Sequence, residues 1–194
     1  MNFGIVILAA GESKRMGQPK QLLEWEGRPL VVRTIEAALA SRGWPIVVVL
    51  GAYAEKIRPV LATQPVLIAE NPAWSEGMAS SLRAGVSLMQ QFSRAIDGVF
   101  IALCDQPAFS VAIIDRFLEV QQATQRSIVA ARYSGRNGAP AFFLREHFSA
   151  LTNLTGEEGA RALLNQNPDR VASIDLPEFA VDLDTPEDYA ALKA

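Results

Sequence analysis

The 194-residue chain is poor in the residues that most readily announce a chemistry, with a single cysteine, Cys104, and a single histidine, His147. One thiol can form neither an intrachain disulfide nor a cysteine-rich metal cluster, so the chain reads as a protein of the reducing cytoplasm. His147 is expected to be a surface helix residue without a catalytic role. An excess of positive charge is also missing: 18 Lys and Arg face 21 Asp and Glu, a net charge of -3. A protein tracking nucleic-acid phosphates would show a basic surplus, so any anion site must be local. Long apolar runs are absent too. The stretch Ile5 to Ala10 is too short to span a bilayer and has no basic leader or small-residue cleavage site beside it, so neither membrane insertion nor a signal peptide is expected. Low-complexity tracts, charge blocks and repeats do not occur, which leaves one domain over residues 1–194 as the expectation.

What is present is a buried-sheet pattern. With 49% hydrophobic and 20% charged residues, the chain can fill a compact α/β core. Short β-branched runs recur at Phe3 to Leu8, Ile46 to Leu50, Val66 to Ala69, Val99 to Leu103 and Ser127 to Ala131. Between them, Leu30 to Ala40, Ala54 to Leu61, Met78 to Gln91 and Val111 to Ala123 place apolar residues at spacings of three and four. The stripe Met78, Leu82, Val86 in the third of these reads as core. Such alternation predicts a mostly parallel sheet covered on both faces. After Ala131, "YSGRNGAPAFFL" breaks the rhythm and predicts a mixed C-terminal part. "TGEEGARALLNQN" reads as a helix capped by Thr155 with Glu158 three residues on. "FAVDLDTPEDYAALKA" reads as a last strand, a turn and a helix capped by Thr185, with Pro186 at its first position. Three polar segments, "AAGESKRMGQPK", "CDQPAF" and "DLDTPED", follow strands directly and should converge where open α/β sheets collect their ligands.

The first segment is the most informative. Ala9, Ala10, Gly11 and Gly17 form a path with little side chain, along which a backbone can approach a phosphate, and Lys14, Arg15 and Lys20 add positive charge around it. The interval from Gly11 to Gly17 does not fit a Walker A loop, Lys20 lies in no Gly-Lys-Ser/Thr triplet, and GxGxxG is missing. "LAAGESKRMGQPKQLL" instead resembles the LAAGxSxRMGxxKxLL motif of the nucleotidyltransferases related to the enzymes of molybdenum cofactor synthesis. "NPAWSEGMASSLRAGV", "LCDQPAF", "RNGAPAFF", "LTGEEGARALL" and "VDLDTPEDY" resemble further segments of the molybdenum cofactor cytidylyltransferase branch, so the resemblance spans nearly the whole chain.

That resemblance implies a Rossmann-like three-layer nucleotidyltransferase (GT-A-like) fold. It also implies transfer of CMP from CTP to the terminal phosphate of molybdopterin carrying molybdenum, with release of pyrophosphate and with the product passing to a molybdenum hydroxylase. Residues 1–131 would mainly bind nucleotide, and 132–194 would supply the acceptor side and a second metal ligand. Asp105 and Asp184 are the expected ligands of Mg²⁺ or Mn²⁺, with Asp182 as runner-up; carboxylate oxygens suit such hard cations. Arg15 is assigned to the β/γ-phosphates and Lys20 to the α-phosphate, with Asp105 completing the catalytic set, while Lys14 is expected to be solvated. Leu8, Ala9, Ala10, Gly11, Gly77, Ser80 and Ser81 complete the expected nucleotide site, and Arg136, Gly138, Pro140, Glu157 and Arg161 the acceptor side. Glu157 stands where the family has Asp, which leaves acceptor contacts open. Three alternatives remain: a nucleotidyltransferase acting on a sugar or alditol phosphate, a non-catalytic cofactor-maturation factor, and an NAD(P)H-dependent reductase recruited from the same fold.

Overall fold

The computed structural model describes residues 1–157, 159–180, 183 and 185–193. Strand β1 (Phe3–Ala9) is buried along its whole length. It lies between two further apolar strands, β4 (Ile46–Leu50) and β6 (Gly98–Leu103), both parallel to it. A strand walled in by neighbours and covered on both faces has no solvent-facing side, which is why "FGIVILA" carries no alternating polar residues. Its alternation is instead between two cores. Ile5, Ile7 and Ala9 pack toward α1 (Leu30–Leu39), α2 (Ala54–Leu61) and α4 (Val111–Thr124). Val6, Leu8 and Ala10 pack toward α3 (Met78–Phe92), α5 (Phe148–Thr152) and α6 (Arg161–Gln166). The period-two geometry of a strand thus divides one hydrophobic run between the two outer layers.

The main sheet has seven strands in the order β5-β4-β1-β6-β8-β7-β9, with β5 at Leu67–Glu70, β7 at Ile128–Tyr133, β8 at Arg136–Leu144 and β9 at Val171–Asp175. β5, β4, β1 and β6 run parallel; β8 inserts antiparallel between β6 and β7, and β9 pairs parallel with β7. This is an α/β Rossmann-like fold whose sheet becomes mixed on its C-terminal side, as the break after Ala131 predicts. The cause is local: Ser134 and Gly135 both adopt positive φ, 48° and 73°, the two-residue turn geometry that folds a strand directly back on its predecessor. A separate hairpin, β2 (Glu24–Trp25) with β3 (Arg28–Pro29), uses the same device at Glu26 and Gly27. No helix among the described residues is long and apolar enough to cross a membrane.

Four sequence expectations are corrected. Thr155 caps no helix: Gly156 and Gly159 take left-handed φ of 81° and 57°, so the helix begins only at Arg161 after Ala160; Glu158 lies outside the described residues. The last strand among the described residues is β9, and Phe179 and Ala180, where the expected last strand begins, belong to a 3-10 turn over Pro177–Ala180, while Val181 and Asp182 lie outside the described residues. His147 is buried, with Nε2 2.8 Å from the Ser127 hydroxyl and its ring edge-on to Phe143. Met78 is 42% exposed while Leu82 and Val86 are fully buried, because it sits in the first turn of α3 where the helix emerges from the core. The C-terminal cap holds. In α7 (Pro186–Lys193), the Asp188 amide donates to the Thr185 hydroxyl at 3.2 Å and the Thr185 amide to the Asp188 carboxylate at 2.9 Å, a reciprocal N-terminal box.

Candidate active site

From β1 the chain passes outward to β4 and β5, then returns to β6 on the other side of β1. Where strand order reverses, the loops leaving the two central strands diverge and leave a crevice at their carboxyl ends. Here that crevice is a cavity of about 570 Å³, walled by the opening loop, the start of α3 and the end of β6.

The opening loop is held from behind. The Gln21 side-chain amide donates to the carbonyls of Ala9, at 3.1 Å, and Gly11, at 2.8 Å, and the Ala52 amide donates to the Ala10 carbonyl at 3.1 Å. All three carbonyls of the Ala9-Ala10-Gly11 path are therefore occupied by the protein. Farther on, Ser13 adopts left-handed φ of 53° and its carbonyl accepts from the amides of Met16 and Gly17. This turns the chain back so that Lys20, in the next 3-10 turn (Lys20–Leu22), faces the cavity. Lys20 Nζ lies 2.6 Å from Asp105 Oδ2, with the two side chains 18% and 20% exposed. Asp105 follows β6 by two residues, so a rigid strand end presents its carboxylate. Two of the three polar segments thus meet in one charge-assisted contact.

On the facing wall, Gly77 leads into α3 with φ of 104°, and a side chain there would meet the Glu157 Cα at 2.8 Å and the Gly156 carbonyl at 2.9 Å. Only glycine lets these two loops pack, and the Ala79 amide then donates to the Gly156 carbonyl at 3.3 Å. Ser80 and Ser81 are buried, and Asn71 Nδ2 donates to their hydroxyls at 2.8 and 3.0 Å. The Ser80 hydroxyl donates to the Gly77 carbonyl; Ser81 also lines the cavity, whereas Ser80 does not.

Leu8, Ala9, Ala10, Gly11, Lys20, Gly77, Ser81, Asp105 and Glu157 share this cavity. Arg15 is exposed and off its wall, while Lys14 is on it with Nζ 3.2 Å from Glu12 and its side chain 79% exposed. Cys104 also lines it; burial, reinforced by the Asp105 charge and opposed by Lys20, pushes its thiol well above the usual range. The thiol stays protonated and is a poor nucleophile. Several wall residues escaped the sequence reading, Gln21 and Trp74 among them. Each sits inside a quoted motif, Gln21 directly after Lys20 and Trp74 three residues before Gly77. No spacing rule told them from packing residues.

A smaller cavity of about 120 Å³ adjoins the first through Leu8, Met78, Leu103 and Glu157. Tyr133, Gly138, Ala139, Ala160, Arg161 and Leu164 close it, so three expected acceptor-side residues, Gly138, Glu157 and Arg161, gather there. A side chain at Gly138 would lie 2.9 Å from the Tyr133 hydroxyl, so glycine makes room for that ring. Arg136 sits exposed opposite Tyr133 in the β7–β8 hairpin, and Pro140 is buried in β8; neither is on the wall.

The third polar segment is anchored by a satellite core. Leu183 packs with Met16, Leu23 and Leu30, beside Trp25 and Tyr189, and the Tyr189 hydroxyl donates to the Glu24 carbonyl at 2.6 Å. Met16 belongs to the opening loop, so this core brings Leu183 to that loop. Asp184 and Asp182 lie outside the described residues. Among the described residues no three His, Cys, Asp or Glu side chains assemble as a metal cluster. The cavity's donor set, a carboxylate on a rigid strand end with an open volume before it, fits a Mg²⁺-like ion that takes one or two carboxylates and otherwise substrate phosphates.

A crevice at this switch point, with a glycine-bearing loop on one side and a lysine against an aspartate on the other, is a general ligand site of α/β folds; the family that the chain matches makes the protein a nucleotidyltransferase. More narrowly, residues 5–171 match the MobA-like NTP transferase domain, and the chain belongs to that family. Similar proteins include a nicotine blue oxidoreductase of Paenarthrobacter nicotinovorans, 34% identical with 94% of this chain and 92% of that protein covered. A molybdenum cofactor cytidylyltransferase of Escherichia coli strain K12 is 26% identical over 97% and 94% of the two chains. Among solved structures, the Mycobacterium tuberculosis H37Rv protein Rv0371C in complex with manganese superposes with a TM-score of 0.79 at 26% identity, covering 99% and 98% of the two chains.

Proposed function

We propose that this protein transfers CMP from CTP to the terminal phosphate of molybdopterin carrying molybdenum, releasing pyrophosphate and supplying a cytosine dinucleotide cofactor to a molybdenum hydroxylase. The observation that carries the proposal is the Lys20–Asp105 contact at 2.6 Å on the wall of the cavity beneath the Ala9-Ala10-Gly11 loop. The chemical difficulty is the approach of an anionic phosphate to an anionic α-phosphorus, and fixed positive charge is the remedy. Lys20 neutralises the α-phosphate, Arg15 the β- and γ-phosphates, and Gly11 lets the triphosphate approach the backbone. A divalent cation, when bound, supplies the remaining charge neutralisation; Asp105 and Asp184 would hold it. The manganese complex of the mycobacterial relative supports such an ion without deciding between Mg²⁺ and Mn²⁺.

Leu8, Ala9, Ala10, Gly77 and Ser81 would surround the nucleoside, with Ser80 bracing the Gly77 carbonyl behind them. The Ala10 methyl narrows the space at the base edge and favours a pyrimidine, and the Escherichia coli cytidylyltransferase supports the same choice. Gly138, Glu157 and Arg161, which line the smaller cavity, would serve the acceptor, so one domain carries nucleotide on residues 1–131 and acceptor on 132–194. The phosphate nucleophile arrives ionised, so no side chain need act as its base.

Pyrophosphate release should be measured from CTP, GTP, ATP and UTP in turn, with Mg²⁺ and molybdopterin carrying molybdate. Release favouring CTP is expected; preference for another nucleotide would overturn the cytidine assignment and retain the mechanism. A second reading, reduction of a dye-like substrate, is favoured by the 34% identity to the nicotine blue oxidoreductase. NADH oxidation with such a substrate, without pyrophosphate release from any nucleotide, would replace the transferase reading.

A further inference from the structure

Two buried glutamines share an arrangement that the transfer chemistry above does not use. Gln21 directly follows Lys20 and Gln106 directly follows Asp105, the two residues in ionic contact. Both are more than nine-tenths buried, at 1% and 6% exposure. Each turns its amide group onto a backbone carbonyl of a different segment: Gln21 Nε2 to Ala9 and Gly11 in the opening loop, and Gln106 Nε2 to Ala139, at 3.0 Å, beside the smaller cavity. In both, Oε1 is buried without a hydrogen-bond partner, and among the described residues no other buried side-chain atom is in that position. Burying an amide with its acceptor unmatched is unfavourable, so packing alone does not account for a glutamine at either place. The donating half is what both positions use.

We propose that Gln21 and Gln106 are paired positioning residues that set where Lys20 and Asp105 stand. This rests on the nucleotidyl-transfer reading of the cavity. Gln21 ties the turn carrying Lys20 to the loop that must receive the triphosphate. By occupying the Ala9 and Gly11 carbonyls, it also keeps those negative dipole ends turned from an incoming phosphate. Gln106 ties the segment carrying Asp105 to β8, which walls the smaller cavity, and so fixes the distance between the nucleotide and acceptor ends. The two clamps therefore act on different steps: Gln21 on nucleotide capture, Gln106 on the alignment of the bound pair.

The test compares wild type with Gln21→Met and Gln106→Met, which keep volume and lose the amide. CTP affinity is measured by calorimetry with Mg²⁺, kcat by pyrophosphate release, and amide exchange at residues 10–12 without nucleotide. Gln21→Met should weaken CTP binding at least tenfold and speed that exchange. Gln106→Met should hold CTP affinity within twofold of wild type and lower kcat at least tenfold. Wild-type affinity and kcat in both variants, or parallel loss of both quantities in each, would overturn the proposal. If wild type itself binds no nucleoside triphosphate, the transfer reading fails with it; exchange at residues 10–12 still decides the Gln21 clamp, which unchanged exchange in Gln21→Met would remove.

Discussion

The two ends of the crevice are built on opposite plans. At the larger cavity, charge is concentrated and braced: Lys20 against Asp105, with the opening loop fixed through its carbonyls by Gln21 and Ala52. Tyr133, Glu157 and Arg161 are the principal polar side chains of the smaller cavity; β1, β6 and α3 form part of its wall, and a hairpin and a loop whose glycines adopt positive φ close the rest. A parallel-sheet switch point thus supplies a rigid electrostatic site almost by topology. The far side of the adjoining recess depends on turn geometry that can vary while the central strands stay in place, which suits a family whose members act on different compounds.

The strongest break of that contrast is Asp105→Asn. Removing the carboxylate should lower kcat by about 10²–10³-fold, the scale of losing one preorganised electrostatic group, while the fold survives; near-normal turnover in the pyrophosphate assay would strip Asp105 of its role. Next comes the seam between the cavities. Gly77→Ala forces a side chain into the Glu157 backbone at positive φ, and should cost about 1–3 kcal/mol of stability, read from urea unfolding. An unchanged midpoint would mean that the seam is not tightly packed. Arg161→Ala sharpens the division of labour: KM for the acceptor should rise about tenfold, the scale of one charged hydrogen bond, with KM for the nucleotide unchanged. Equal rises in both would merge the two ends into one site.

The smallest effect lies away from both cavities, at His147. Burial lowers its pKa below the usual 6.5, with Glu146 pulling upward and Arg170 downward. The unfolded chain therefore binds a proton at a higher pH than the folded one. The contribution of neutral His147 is full above pH 6.5 and declines as pH falls toward its folded value. Unfolding midpoints at pH 7.5 and 5.5 should show this decline, and His147→Gln should flatten it; an identical slope in the variant would assign the effect to other groups.

The larger cavity was largely legible as a place because its determinants are consecutive: an apolar strand, a run of small residues and charged residues at fixed offsets. Lys20 and Asp105, 85 positions apart, could be placed together from the rule that loops at strand ends converge. The clamps were not visible in that way, since Gln21 and Gln106 are distinguished by which distant carbonyl they meet. The smaller cavity resisted for another reason. A Thr followed by Glu three residues on satisfies the pattern of a helix cap, yet Gly156 and Gly159 divert the chain before a helix can start, so backbone conformation overrode side-chain propensity. His147 became buried because β8 returns against β6, an antiparallel insertion that carries its flanking turn into the core.

The most direct measurement is a crystal structure with CTP and Mn²⁺. The account predicts the triphosphate along residues 9–20, the manganese anomalous signal at Asp105, and the cytosine between Ala10 and Ser81, with the recess at Tyr133 and Arg161 left for the acceptor. A nucleotide seated in that recess, or a metal remote from Asp105, would contradict it.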